Sequence, residues 1–141
     1  MRTLVLLLII ATQVYAKESA SQSAKTNYMI NCQGCHQSDG SGMPGLVPNM
    51  KDYLSNFLRV PGGREFLVRV PGSANAPLDN KALADTLNWM LFAFSKDQMP
   101  ETFKPFSAEE VGRLRMKGAL INVDSLRAGL VEYIERNQGS P

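Results

Sequence analysis

Histidine, cysteine and tryptophan are scarce in this chain: one His, two Cys and one Trp in 141 residues. Two cysteines and one histidine fall short of the four Cys or His ligands that a structural zinc site usually takes, so zinc would have to borrow carboxylates. Charge of one sign is also lacking. Fifteen Lys and Arg face thirteen Asp and Glu, a formal net charge of +2. Near-neutrality gives no footprint for nucleic acid and no strongly basic docking face. No long apolar run is present either. The run at residues 4–11 is too short to span a bilayer.

The scarce residues are not scattered. Cys32-Gln33-Gly34-Cys35-His36 gathers both cysteines and the only histidine into five positions. The spacing i, i+3, i+4 places all three side chains on one face of a helical turn. C-x-x-C-H is the attachment signature of c-type haem. Two thiols add to two vinyl groups, and the following imidazole serves as an axial iron ligand. A thioredoxin-like dithiol expects a βαβ setting, which this sequence does not supply. A structural disulfide fits an oxidising compartment but leaves His36 unexplained.

The N-terminus reads as a targeting segment. Arg2 gives a positive start, residues 4–11 an apolar run, and Val14-Tyr15-Ala16 a small-residue cleavage site. Residues 1–16 are therefore expected to be a signal peptide, with an uncleaved N-terminal anchor as the other reading. Residues 17–25 (KESASQSAK) read as a flexible lead-in.

Beyond it, the pattern is all-α. A helix is expected over 26–36, with Tyr28, Met29 and Cys32 at helical spacing. Residues 37–49 read as a loop, carrying Gly40, Gly42, Pro44, Gly45 and Pro48. Leu58-Arg59-Val60-Pro61-Gly62 is echoed by Val68-Arg69-Val70-Pro71-Gly72, and each Pro-Gly suits a type II turn around a short helix at 63–70. Residues 78–95 form the strongest predicted helix, with Asp79 or Asn80 as N-cap and Leu83, Leu87, Met90, Leu91 and Phe94 as its apolar stripe. Ser107 and Glu110 have capping-box spacing, so a helix is expected from there to about Lys117, with Gly118 as its stop. A last amphipathic helix is expected over 124–136, with Leu126, Leu130, Tyr133 and Ile134 on one face.

Three blocks resemble the monohaem class I c-type cytochromes: Cys32 to Asp39-Gly40-Ser41-Gly42, then Pro48-Asn49-Met50, then Leu83-Ala84 through Asn88-Trp89. The resemblance implies a cytochrome c-like haem domain at 26–95 and a C-terminal helical extension at 96–141. It implies one covalent haem c on Cys32 and Cys35, with His36 as proximal ligand and the Pro48 carbonyl holding the imidazole's free N–H. It also implies that Trp89 packs where the two main helices cross. The function implied is single-electron transfer between periplasmic redox partners: a dehydrogenase, reductase or oxidase. No nucleic acid and no stable membrane span after signal cleavage are expected.

The departure concerns the sixth iron ligand. Many relatives place a Met, often Met-Pro, in the loop before the C-terminal helix. Here that loop, residues 72–77, has none. Met99-Pro100 is the leading candidate, on the condition that residues 124–136 are the family's C-terminal helix. Asn75 would be a hydrogen-bonding group on that side. The other reading is an open sixth position, in a small-ligand sensor or a peroxidase-like enzyme, although the chain has no second His to act there. Arg59, Arg64 and Arg69 are candidates for the haem propionates.

Overall fold

The computed structural model describes residues 20–137. The expected signal peptide and residues 17–19 of the lead-in lie outside that range. Among the described residues there is no strand, only an isolated bridge between Met43 and Val47. No described helix is long and apolar enough to cross a membrane.

Helix α1 covers residues 20–31. Residues 20–25, expected as part of a flexible lead-in, are helical. Ala20 and Ala24 favour a helix, and Ala24 and Tyr28, one turn apart, are both buried. The helix breaks at Cys32, and α2 (Gln33–His36) follows as a single turn. A 3-10 helix spans Leu54–Arg59, then α3 Gly63–Arg69 and α4 Pro71–Ala74. Helix α5 (Asn80–Ser95) runs into a second 3-10 turn, Lys96–Gln98. Helices α6 (Ala108–Arg115) and α7 (Val123–Asn137) close the chain.

The two Pro-Gly repeats fold differently. At Pro61-Gly62, Gly62 takes φ 80° and Gly63 N–H donates to the Val60 carbonyl, as a type II turn requires. Pro71 instead opens α4, at the first helical position, where its missing N–H costs nothing. The local sequence is the same, and the segment after each Pro-Gly selects the conformation.

Helix α5 is the centre of the core. Asp79 caps it, accepting from Ala82 N–H at 2.7 Å. Leu83, Leu87, Met90, Leu91 and Phe94 are all buried. Tyr28 of α1 packs on Trp89 and Phe94, with ring centroids 5.3 and 5.0 Å apart. Helix α5 therefore crosses α1, and Trp89 sits at the crossing.

The segment after Ser95 shares this core: Phe106, Val111 and Ile134 belong to the same cluster as Tyr28 and Phe94. Asn88 on α5 holds Phe106 by both backbone groups, at 2.8 and 3.0 Å. Ser107 caps α6 by accepting from Glu110 N–H. The capping box is not reciprocal, because the Glu110 carboxylate forks onto Arg64 at 2.8 and 2.7 Å. Helix α7 buries only part of the expected face. Ile134 is buried and Val123, Leu130 and Val131 pack on the core, while Leu126 and Tyr133 stay 44% and 41% exposed. A broad apolar stripe has two sides, and the 3-10 helix that α7 meets selects one.

Arg115 supplies the strongest tie. Its guanidinium donates to the carbonyls of Ala74, Ala76 and Leu78 at 2.7–3.1 Å, fastening the stretch between α4 and α5. Arg115→Ala leaves three carbonyls without this donor. We expect a loss of about 2–3 kcal/mol in denaturant unfolding; a change under about 0.5 kcal/mol would show that water replaces the clamp without cost.

Candidate functional site: the Cys32–His36 turn

The C-x-x-C-H residues share one turn. Cys32 N–H donates to the Tyr28 carbonyl at 2.9 Å, continuing α1, and the N–H groups of Cys35 and His36 both turn back to the Cys32 carbonyl, at 3.2 and 3.0 Å. Gln37, at φ 62°, ends the turn. The Tyr28 hydroxyl donates to the Gln37 carbonyl, tying the helix crossing to the residue after His36. Burial, with the nearby Cys32 and Asp39, pushes the Tyr28 phenol up to about 12, so it stays a donor.

The two cysteines form no disulfide with each other; Cys32 is half-buried and Cys35 exposed. Burial, and then the neighbouring Cys35, push the Cys32 thiol above its ordinary value.

His36 is asymmetric. Its Nδ1 is buried and completes no hydrogen bond. Burial lowers the imidazole's pKa, and the Pro48 carbonyl against the ring opposes that shift. A neutral ring set against a backbone carbonyl is the form an axial ligand needs.

The loop that carries Pro48 is packed by glycines. A Cβ on Gly42 would overlap the Val47 carbonyl oxygen and lie 2.7 Å from that of Pro48. One on Gly40 would meet the Phe94 ring at 2.9 Å. Both have positive φ. Met50, buried, donates its N–H to the Gly40 carbonyl at 2.8 Å. The Asp39-Gly40-Ser41-Gly42 stretch thus sets how closely Pro48 approaches the histidine.

This arrangement fits a covalent haem. Two thiols and an imidazole sit one turn apart, with the Pro48 carbonyl against the imidazole. Among the described residues no group of three or more His, Cys, Asp or Glu is placed to hold a bare metal ion.

Known proteins agree with the geometry. No family model matches the chain. A cytochrome c-552 of Thermus thermophilus is 32% identical over 115 residues, covering 69% of this chain and 78% of the relative. A second cytochrome c-552 from Thermus thermophilus is 35% identical over 104 residues, covering 61% of this chain and 79% of the relative. The chain belongs to the monohaem class I c-type cytochromes. Its cofactor is one covalently bound haem c.

In this cytochrome the arginines expected at the propionates are engaged elsewhere. Arg59 donates to the Gln98 carbonyl. Arg64 forks onto Glu110, donates to the Lys104 carbonyl and lies 4.0 Å above the Phe106 ring. Arg69 pairs with Glu65 and donates to the carbonyls of Lys117 and Gly118. All three serve to hold the C-terminal segment, and spacing alone does not show that. Two clefts, of about 400 and 380 Å³, lie over α3 against α6 and α7; neither is lined by Cys32, Cys35 or His36.

Met99 as sixth ligand rests on one condition. That place required α7 to be the helix that crosses α1, but the ring contacts of Tyr28 assign the crossing to α5. Met99 follows the crossing helix and packs at the core's edge. Asn75 caps α4 with its side chain exposed. Sequence reasoning also missed the Tyr53 hydroxyl, buried without a partner. A tyrosine five residues after Pro48 gives no local signal of its surroundings.

Proposed function

We propose that Cys32 and Cys35 hold the haem by thioether bonds, that His36 Nε2 is the proximal ligand, and that the protein shuttles electrons between exported redox partners. The cytochrome is an electron carrier and not an enzyme. Bound haem supplies reversible one-electron chemistry. The protein's part is to anchor it, fix the imidazole and exclude water. The observation that carries the ligand assignment is the His36 ring itself: a buried Nδ1 and the Pro48 carbonyl against the ring, with both thiols on the same turn.

Export rests on the targeting pattern of residues 1–16, and a periplasmic dehydrogenase, reductase or oxidase is the class of partner. Residues 26–95 carry the haem site, and residues 96–141 act as cover for it, supported by Phe106, Val111 and Ile134 in the shared core.

On this reading the position opposite His36 is left neither to Met99, which follows the helix that crosses α1, nor to residues 75–79, which contain no Met, Cys or His. Met99→Ala is therefore expected to leave the ferric visible spectrum unchanged, far-red region included. Carbon monoxide should bind the ferrous wild type rapidly and shift its Soret band. A far-red band present in the wild type and lost in Met99→Ala would restore Met99 as ligand.

A further inference from the structure

Tyr28 is buried, with its ring against Trp89 and Phe94 of the crossing helix α5. A phenylalanine would serve that packing as well. The hydroxyl adds what packing does not require: it donates to the Gln37 carbonyl, nine residues along the chain and directly after His36. The backbone there is held at three points. Gln37 N–H donates to the Gln33 carbonyl at 2.8 Å, and the His36 carbonyl accepts from Gly42 N–H at 3.2 Å. Those two partners lie in the turn itself or in the loop that follows, so they move with the segment they tie. The third tie, from Tyr28, comes from the helix crossing. Gln37 needs the support, because its φ of 62° is a left-handed conformation that costs a residue with a side chain about 1–2 kcal/mol.

The same crossing holds the rest of the loop. Phe94, in ring contact with Tyr28, lies against Gly40, and its carbonyl accepts from Asp52 N–H at 2.7 Å. Tyr28 and Phe94 thus grip the loop of residues 37–52, with Pro48 in it, near both ends. We infer that the Tyr28 hydroxyl is a positioning group for the axial ligand: by fixing Gln37 it keeps the His36 imidazole set against the Pro48 carbonyl, and so helps to set the reduction potential of the haem. The inference rests on His36 being that ligand. A carbonyl that accepts from a ligating imidazole makes the ring a stronger donor to iron, which favours the ferric state. Loosening that contact favours the ferrous state.

The test is Tyr28→Phe in the holoprotein, which keeps the ring and removes only the donor. Its midpoint potential should rise, so that at the wild-type midpoint the ferrous-to-ferric ratio increases about threefold, and the His36 Nδ1–H should exchange with solvent about fivefold faster, both from the loss of one net hydrogen bond. Thr86→Val is the control. It also removes a buried hydroxyl that donates to a backbone carbonyl, that of Ala82 at 2.7 Å, but within α5. It should leave both readings at their wild-type values. A potential and an exchange rate unchanged in Tyr28→Phe, or equal changes in Tyr28→Phe and Thr86→Val, would overturn the inference. So would proton NMR of the wild-type ferrous holoprotein in which the Tyr28 hydroxyl proton exchanges too fast to be seen, a result that needs no variant to fold. A wild type without covalent haem, or a His36→Ala variant with an unaltered ferrous spectrum, would instead sink the ligand assignment and this inference with it.

Discussion

The Cys32→Ala, Cys35→Ala double variant, made in a host that attaches haem, gives no haem stain on a denaturing gel. The wild type stains fully, and each single variant stains less than the wild type. These are the only two thiols in the chain, so no other residue supplies a thioether. The two are not equivalent. Cys35 is exposed, whereas Cys32 is half-buried, packs on the core and follows α1 without a gap in hydrogen bonding. Losing Cys32 therefore removes packing as well as an anchor, and Cys32→Ala should also unfold more readily than Cys35→Ala, by about 1 kcal/mol. A stain that survives the double substitution would end the thioether assignment.

Gly42→Ala has the largest expected effect away from the ligands themselves. Gly42 sits at φ 70°, and an added Cβ would overlap one carbonyl oxygen and lie 2.7 Å from a second. Left-handed backbone costs a side-chain-bearing residue about 1–2 kcal/mol, and forcing backbone apart adds about 1–3 kcal/mol. We expect a total loss of about 2–5 kcal/mol in chemical unfolding. The atoms displaced matter more than the total. One belongs to Pro48, whose carbonyl lies against His36, so the substitution should also shift the midpoint potential. Gly45→Ala is the control. It has a similar φ of 76° but nothing within 4 Å of the added carbon, so it should cost only the backbone term and leave the potential alone. Equal losses in the two variants would show that the close approach to Pro48 carries no weight.

These two predictions draw on different layers of the molecule. The cysteine result depends on a turn that sequence spacing specifies by itself, because i, i+3 and i+4 share a face in any helix. The Asp79 and Ser107 caps and the turn at Pro61-Gly62 are of the same kind, since each needs only neighbours within three or four residues. The glycine result depends on which carbonyls lie above Gly42, and that is set by how residues 43–50 fold back.

What the sequence by itself determined was the chemistry: one haem's worth of thiols and imidazole on one turn, in an all-α chain. The tertiary structure decided what surrounds that turn. It assigned α5 rather than α7 to the crossing with α1, against the condition on which Met99 as a ligand depends. It turned Arg64, Arg69 and Arg115 into ties for the C-terminal segment, and it set the inner face of α7. The physical reason is range. Caps and helical turns are settled by backbone hydrogen bonds a few residues apart, whereas a guanidinium's partner or a helix's buried face is settled by whichever surface packing brings to it.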